Sequence, residues 1–183
     1  MKTKIYFVRH AESIYINGQE RTRGLSEKGR LQAIRVKEKL ISLDIHYILS
    51  SPYERAIQTI TPLADELQKE IILFEGLTER ELGEIGEVNF NEAKHRLYSD
   101  FTFQYPDGES SHTAQTRAIH DLHYILRNYK GKSIVIGTHG DIMTLMLSYF
   151  DKQYNIEFWK STTMPDIYQL QFHGTTLEKV QRL

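Results

Sequence analysis

Two histidines and two arginines stand where short apolar runs give way to polar residues. Arg9-His10 follows Ile5-Tyr6-Phe7-Val8, Arg55 lies just beyond Tyr47-Ile48-Leu49 and Ser50-Ser51-Pro52, and His139-Gly140 follows Ser133-Ile134-Val135-Ile136-Gly137. A guanidinium presents a rigid fork of donors matched to phosphate oxygens, and a protonated imidazole adds another donor. A neutral imidazole has a lone pair available near pH 7 and can attack phosphorus without a partner base. The chemistry these residues suit is phosphoryl transfer, with Arg9, Arg55 and His139 supplying charge and His10 the nucleophile. Such a reaction also calls for a proton donor to the leaving oxygen. Four carboxylates, Glu79, Glu81, Glu84 and Glu87, fall in one acidic, glycine-punctuated segment, and the residue pattern leaves open which of them serves.

For these residues to meet, the elements between them must bring distant parts of the chain to one rim. Ser26 is a predicted N-cap, and Ala33, Val36, Leu40 and Leu43 recur on one face, so a helix is expected over 26–42. Ala56, Ile60, Leu63 and Leu67 give a second stripe, which Pro62 is expected to bend or divide. The run 71–74 reads as a third strand and 75–91 as an aperiodic functional loop. A helix over 114–129 is closed by Gly131, the strand 133–137 follows, and 142–150 is an apolar helix. Tyr168, Leu170 and Phe172, then Leu177 and Val180 across His173-Gly174-Thr175-Thr176, read as a terminal hairpin. Alternating strands and helices predict an α/β fold: three layers, a mostly parallel central sheet, and an antiparallel edge strand. In such sheets ligands bind beyond the carboxyl ends of the strands, where Arg9-His10, Ser50-Ser51 and His139-Gly140 are all expected.

Composition narrows the function classes. The chain has 183 residues, 23 Lys and Arg against 24 Asp and Glu, and a net charge of -1. With no global basic field, neither nucleic acid nor an anionic membrane is expected as a partner. Cysteine is absent, which excludes disulfide frameworks, thiolate zinc sites and cysteine nucleophiles. That absence, with no signal-like or membrane-spanning apolar run, makes the cytoplasm the expected compartment. His120 and His123 are three apart on a predicted helix, but no carboxylate pattern completes a metal site, and no metal or other cofactor is expected. His46, His95, His112 and His173 read as surface or packing residues.

The segment Phe7-Val8-Arg9-His10-Ala11-Glu12-Ser13 closely resembles the Arg-His-Gly-Glu-Thr signature of the histidine phosphatase superfamily, the phosphoglycerate mutase-like proteins. Leu25-Ser26-Glu27-Lys28-Gly29 with Gln32-Ala33 resembles the family's opening of its first helix. Ser50-Ser51-Pro52-Tyr53-Glu54-Arg55-Ala56-Ile57-Gln58-Thr59 matches its second arginine motif. Leu77-Thr78-Glu79 resembles its acid motif, Pro106-Asp107-Gly108-Glu109-Ser110 its Gly-Glu-Ser turn, and Thr138-His139-Gly140 its second histidine.

The resemblance implies a phosphoglycerate mutase-like fold, with residues 1–183 as a single domain and residues 75–112 as a loop and helix insertion over the active site. It makes His10 the phosphorylated nucleophile, Arg9, Arg55 and His139 the phosphate pocket, and Glu79 the proton donor. Asn17, Arg21, Thr22 and Gly140 are further candidate substrate contacts, with Arg23 beside them in the same loop. Three departures accompany the match. Ala11 stands for glycine, Ile16 holds the place of a common asparagine with Asn17 one residue later, and Asp141 puts a carboxylate near the anion pocket. The expected activity is hydrolysis of a small phosphate monoester. Alternatives are a phosphoglycerate mutase, disfavoured by the short span between Glu79 and His139, and a non-catalytic anion-binding domain on the same fold. The sequence leaves the substrate open, and a monomer and a dimer stand equally.

Overall fold

The structure is a computed structural model that describes all 183 residues. In chain order it comprises β1 (Lys2–Arg9), α1 (Glu27–Leu40), β2 (Tyr47–Ser50), α2 (Glu54–Leu67), β3 (Ile71–Leu73), a single 3-10 turn (Glu75–Leu77), α3 (Phe90–Ser99), α4 (Ser111–Asn128), β4 (Ser133–Thr138), α5 (Gly140–Phe150), α6 (Ile156–Ser161), β5 (Asp166–His173) and β6 (Thr176–Arg182). The six strands form one sheet in the order β3-β2-β4-β1-β5-β6. The first four strands in sequence are mutually parallel, so Arg9, Ser50 and Thr138 all end at the same rim.

The central strands are buried on both faces, which is why they read as continuous apolar runs rather than as alternating ones. Along β1, Ile5 and Phe7 enter a core of 20 residues with α4 and α5, while Tyr6 and Val8 enter a core of 11 with α1 and α2. The sheet is thus the middle of three layers. The C-terminal hairpin forms one edge as expected, but the strand that opposes the others is β5, one position in. It runs against β1 and pairs Asp166 with Arg9, while β6 runs against β5 and so aligns with the parallel set. The turn between them uses Gly174 at φ +61°.

Ser26 caps α1, its side chain accepting from the N–H of Gly29. Pro62 does not divide α2, which runs unbroken from Glu54 to Leu67. Ile60, Leu63 and Ala64 stay buried around it, and that packing outweighs the lost backbone bond. Two helices lie in segments where the sequence shows no period. Helix α3 buries only Ala93, Lys94 and Leu97, and α6 has six residues with none buried. Neither presents an apolar stripe long enough to register as one. No helix is long and apolar enough to cross a membrane.

Candidate active site

Strand β1 carries Arg9 and His10 to the rim between β4 and β5. His10 is 6% exposed and its backbone N–H donates to the Thr138 carbonyl at 2.9 Å, joining the ends of β1 and β4. Its Nδ1 lies 2.7 Å from the Ala11 carbonyl. A carbonyl can only accept, so Nδ1 bears the proton and Nε2 holds the lone pair. Ala11 is buried, does not adopt a positive φ, and donates to Thr59 Oγ1 at 2.9 Å, so the glycine usual at this position is not needed for its backbone.

Arg55 enters from the first turn of α2 and is 1% exposed, against the ring of Tyr53. Its Nε donates to His10 Nε2 at 3.3 Å. His139, at the cap position of α5, is fully buried, with its ring centroid 5.4 Å from that of His10. Its Nε2 is 2.8 Å from Ser51 Oγ. The arginine motif and the two histidine motifs thus converge through the parallel ends of β1, β2 and β4.

Arg9 lays its guanidinium against Gly140 and donates to Thr162, 3.2 Å from the carbonyl and 2.5 Å from Oγ1. A Cβ on Gly140 would stand 2.8 Å from Arg9 Cζ, so any larger residue would make the guanidinium shift from this position. Thr162 follows α6, which made this contact invisible to motif reading.

The electrostatics of the rim are lopsided. Burial first, then Arg55, lowers the pKa of His10 to about 3, with Arg9 and Arg23 adding to the effect. Burial, Arg55, His10 and the other two arginines likewise push His139 well below the usual histidine value. The expectation of a cationic His139 therefore does not hold in this site, because burial first and then the neighbouring Arg55 disfavour the charged imidazole. Four buried side-chain atoms make no hydrogen bond: Arg9 Nε, Ser50 Oγ, Thr138 Oγ1 and His139 Nδ1. All four belong to residues at the ends of β1, β2 and β4.

Glu79 follows the 3-10 turn and reaches the first turn of α5. Its carboxylate accepts from the N–H of Ile142 at 2.8 Å, of Asp141 at 3.1 Å and of Arg80 at 3.0 Å. This ties the segment after β3 to the residues immediately following His139. Glu81, Glu84 and Glu87 make no such contact.

Asp141 does not face the anion pocket. Its carboxylate accepts from Arg80 Nε at 2.8 Å, from Arg80 Nη2 and Tyr98 OH at 2.6 Å each, and from Lys94. Burial alone would raise its pKa, but Lys94 and Arg80 hold it below the normal carboxylate range. Its expected influence on an incoming anion is removed by these two cations. Arg80, Lys94 and Tyr98 were not singled out from the sequence, since buried ion pairs between positions 61 and 47 residues apart leave no local pattern.

The loop candidates separate. Arg21 is committed to Glu75, at 2.5 and 3.1 Å, rather than to the histidines. Asn17 and Thr22 are exposed in the turns of the same loop. Arg23 is the loop residue near the chemistry: its guanidinium donates to Ser13 and Glu20, and it contributes to the lowered pKa of both histidines. No three histidine, aspartate or glutamate side chains are grouped so as to hold a metal ion.

A parallel-sheet rim that gathers two histidines and three arginines, with a carboxylate held at the start of the next helix, carries the kinds of group that phosphoryl transfer uses, on a phosphoglycerate mutase-like fold. The model of the histidine phosphatase superfamily (branch 1) matches residues 5–180, and the chain belongs to that family. It is 28% identical over 165 residues to a probable phosphatase of Schizosaccharomyces pombe, covering 86% of this chain and 78% of that protein. A phosphoglycerate mutase-like protein of Arabidopsis thaliana is 31% identical over 156 residues, covering 76% and 67%. Among solved structures, a mycobacterial glucosyl-3-phosphoglycerate phosphatase shares the fold with a TM-score of 0.78 at 19% identity, over 100% of this chain and 97% of that one.

Proposed function

We propose that the protein hydrolyses small phosphate monoesters through a phosphohistidine on His10. The observation that carries this reading is the state of His10: buried among guanidiniums, Nδ1 bonded to Ala11, pKa lowered to about 3, and hence neutral with its lone pair on Nε2. Attack forms the Nε2–P bond as the P–O bond to the leaving group breaks, and Glu79 gives its proton to the departing oxygen. Arg55, which donates to Nε2 in the free site, turns that donor to a phosphate oxygen, and Arg9 and His139 add charge and hydrogen bonding at the equatorial oxygens. Water then attacks phosphorus, Glu79 accepts its proton, the N–P bond breaks and inorganic phosphate leaves. The names of the relatives, one a probable phosphatase, support hydrolysis as the outcome. No step draws on a metal, and chelators are expected to leave activity unchanged.

Turnover should vanish in His10→Ala. Acid-quenched samples would lose the label if it is a phosphoramidate, so the wild type is quenched in alkali, where phosphohistidine survives and phosphoserine does not. Inorganic phosphate should appear without priming by 2,3-bisphosphoglycerate, and faster than any isomerisation of 3-phosphoglycerate. Label on another residue would overturn the nucleophile, and isomerisation outrunning phosphate release would make the protein a mutase.

A further inference from the structure

Glu20 is the one acidic residue of the loop 14–24, and it sits on the arginines of the phosphate site. Its Oε2 lies 3.2 Å from Arg55 Nη2 and accepts from Arg23 Nη2 at 3.2 Å and Nε at 3.3 Å. Its backbone carbonyl accepts from Arg55 Nη1 at 2.5 Å. With Arg55 Nε on His10, every nitrogen of that guanidinium is engaged by the chain itself. A single carboxylate oxygen joined to two guanidiniums has the arrangement of donors that a phosphate oxygen would use.

The two ends of this contact differ in freedom. The Arg55 side chain is 1% exposed, whereas that of Glu20 is 47% exposed and held by nothing except these arginines. The carboxylate can swing into water while the guanidinium keeps its place. A phosphate dianion carries twice the charge of Glu20 and offers more acceptor oxygens, so it has the stronger claim on the same donors.

We propose that Glu20 is a displaceable internal anion: it satisfies Arg55 and Arg23 in the free protein and competes with phosphate for them, so that it sets how tightly substrate and product are held. The proposal rests on the phosphate-site reading above and makes Glu20 a determinant of affinity rather than a catalytic residue. It also gives the loop a purpose in turnover. Inorganic phosphate leaves a site where a tethered carboxylate is ready to take over its hydrogen bonds, which favours release.

The test is the binding of inorganic phosphate and of vanadate by calorimetry to the wild type and to Glu20→Gln. The amide keeps the size of the side chain, and the variant retains the backbone carbonyl bond to Arg55. Removing the competing charge should tighten phosphate binding by roughly 2- to 5-fold, the scale of a half-exposed ion pair. Circular dichroism checks that the variant is folded, and Glu20→Ala provides a second variant with the same expectation. A merely structural role for Glu20 would weaken binding, so unchanged or weaker binding in both variants overturns the proposal while leaving the active-site reading intact. If the wild type and both variants all fail to bind phosphate and vanadate, the phosphate-site reading falls and this proposal with it.

Discussion

Two buried charge clusters lie on either side of the first turn of α5, and they are completed to different degrees. On one side Asp141 accepts from Arg80, Lys94 and Tyr98, and Ser111 Oγ accepts the remaining Arg80 nitrogen at 2.6 Å. Opposite charges meet there, and no side-chain nitrogen or oxygen in that cluster is left unpaired. On the other side Arg9, Arg55 and Arg23 crowd two histidines, with the half-exposed Glu20 the one carboxylate within ion-pair distance of them and with Arg9 Nε and His139 Nδ1 unpartnered. The first cluster holds the segment after β3 against α5, and the second is poised for an anion from outside. Buried polar groups are ordinarily satisfied, so the cluster left incomplete is the one that marks function. Glu79 stands between them, its carboxylate on the backbone of Asp141 and Ile142, and so links the rigid cluster to the reactive one.

The largest effect that sharpens this contrast is expected at Glu79. A general acid contributes about 10²- to 10⁴-fold, in proportion to how badly the leaving oxygen needs a proton. Glu79→Gln should therefore slow phosphohistidine formation from an alkyl phosphate far more than from p-nitrophenyl phosphate, in single-turnover bursts. Equal losses on both substrates would make Glu79 a positioning group only, and the same differential in Glu81→Gln would move the acid two residues along the chain.

Next in size is a difference in stability. Asp141→Asn leaves Arg80 and Lys94 buried without a counter-charge and should cost about 3 to 5 kcal/mol in urea unfolding. Arg55→Met, which removes a cation from among like charges and fills similar space, should stay within about 1 kcal/mol of the wild type or exceed it, yet abolish phosphate binding. Similar losses of stability in both variants would erase the distinction between the clusters.

The smallest effect is the pH dependence of folding. His10 and His139 are held neutral in the folded protein, so below the ordinary histidine pKa the unfolded chain binds protons that the native state refuses. Stability then falls as pH drops, by about 2 kcal/mol for His10 between pH 7 and pH 5, with His139 adding to the fall in the same direction. Asp141, whose pKa is also lowered, contributes only at more acidic pH. Urea titrations at the two pH values should show the wild type weaker at pH 5 and His10→Gln less affected. Equal stability at both values would mean that the histidines are already charged in the native state.

Much of the fold was legible because its signals are local. The buried strands at the centre of the sheet read as short apolar runs, helix α1 declared itself by a cap and a stripe, α4 by a stripe closed by Gly131 and α5 by an apolar run, and the residues at the strand ends carried recognisable motifs. The short helices α3 and α6 left no periodic signal, since few of their side chains are buried, and only the family resemblance pointed to a helix within 75–112. The same holds for what they contribute: Lys94 and Tyr98 from α3 reach Asp141, and Thr162 just past α6 holds Arg9.

By itself the sequence determined which residue types could do phosphoryl chemistry and that they lie at the ends of strands, because strand period and motif spacing are properties of neighbouring residues. Only the tertiary structure decided their charge and orientation. The proton on His10 Nδ1, the neutrality of His139, the pairing of Asp141 with Arg80 and Lys94, and the hold of Glu20 on Arg55 all depend on burial and on partners brought from distant parts of the chain. Electrostatic energy depends on distance and dielectric environment, and neither exists until the sheet has formed and its rim has closed over those side chains.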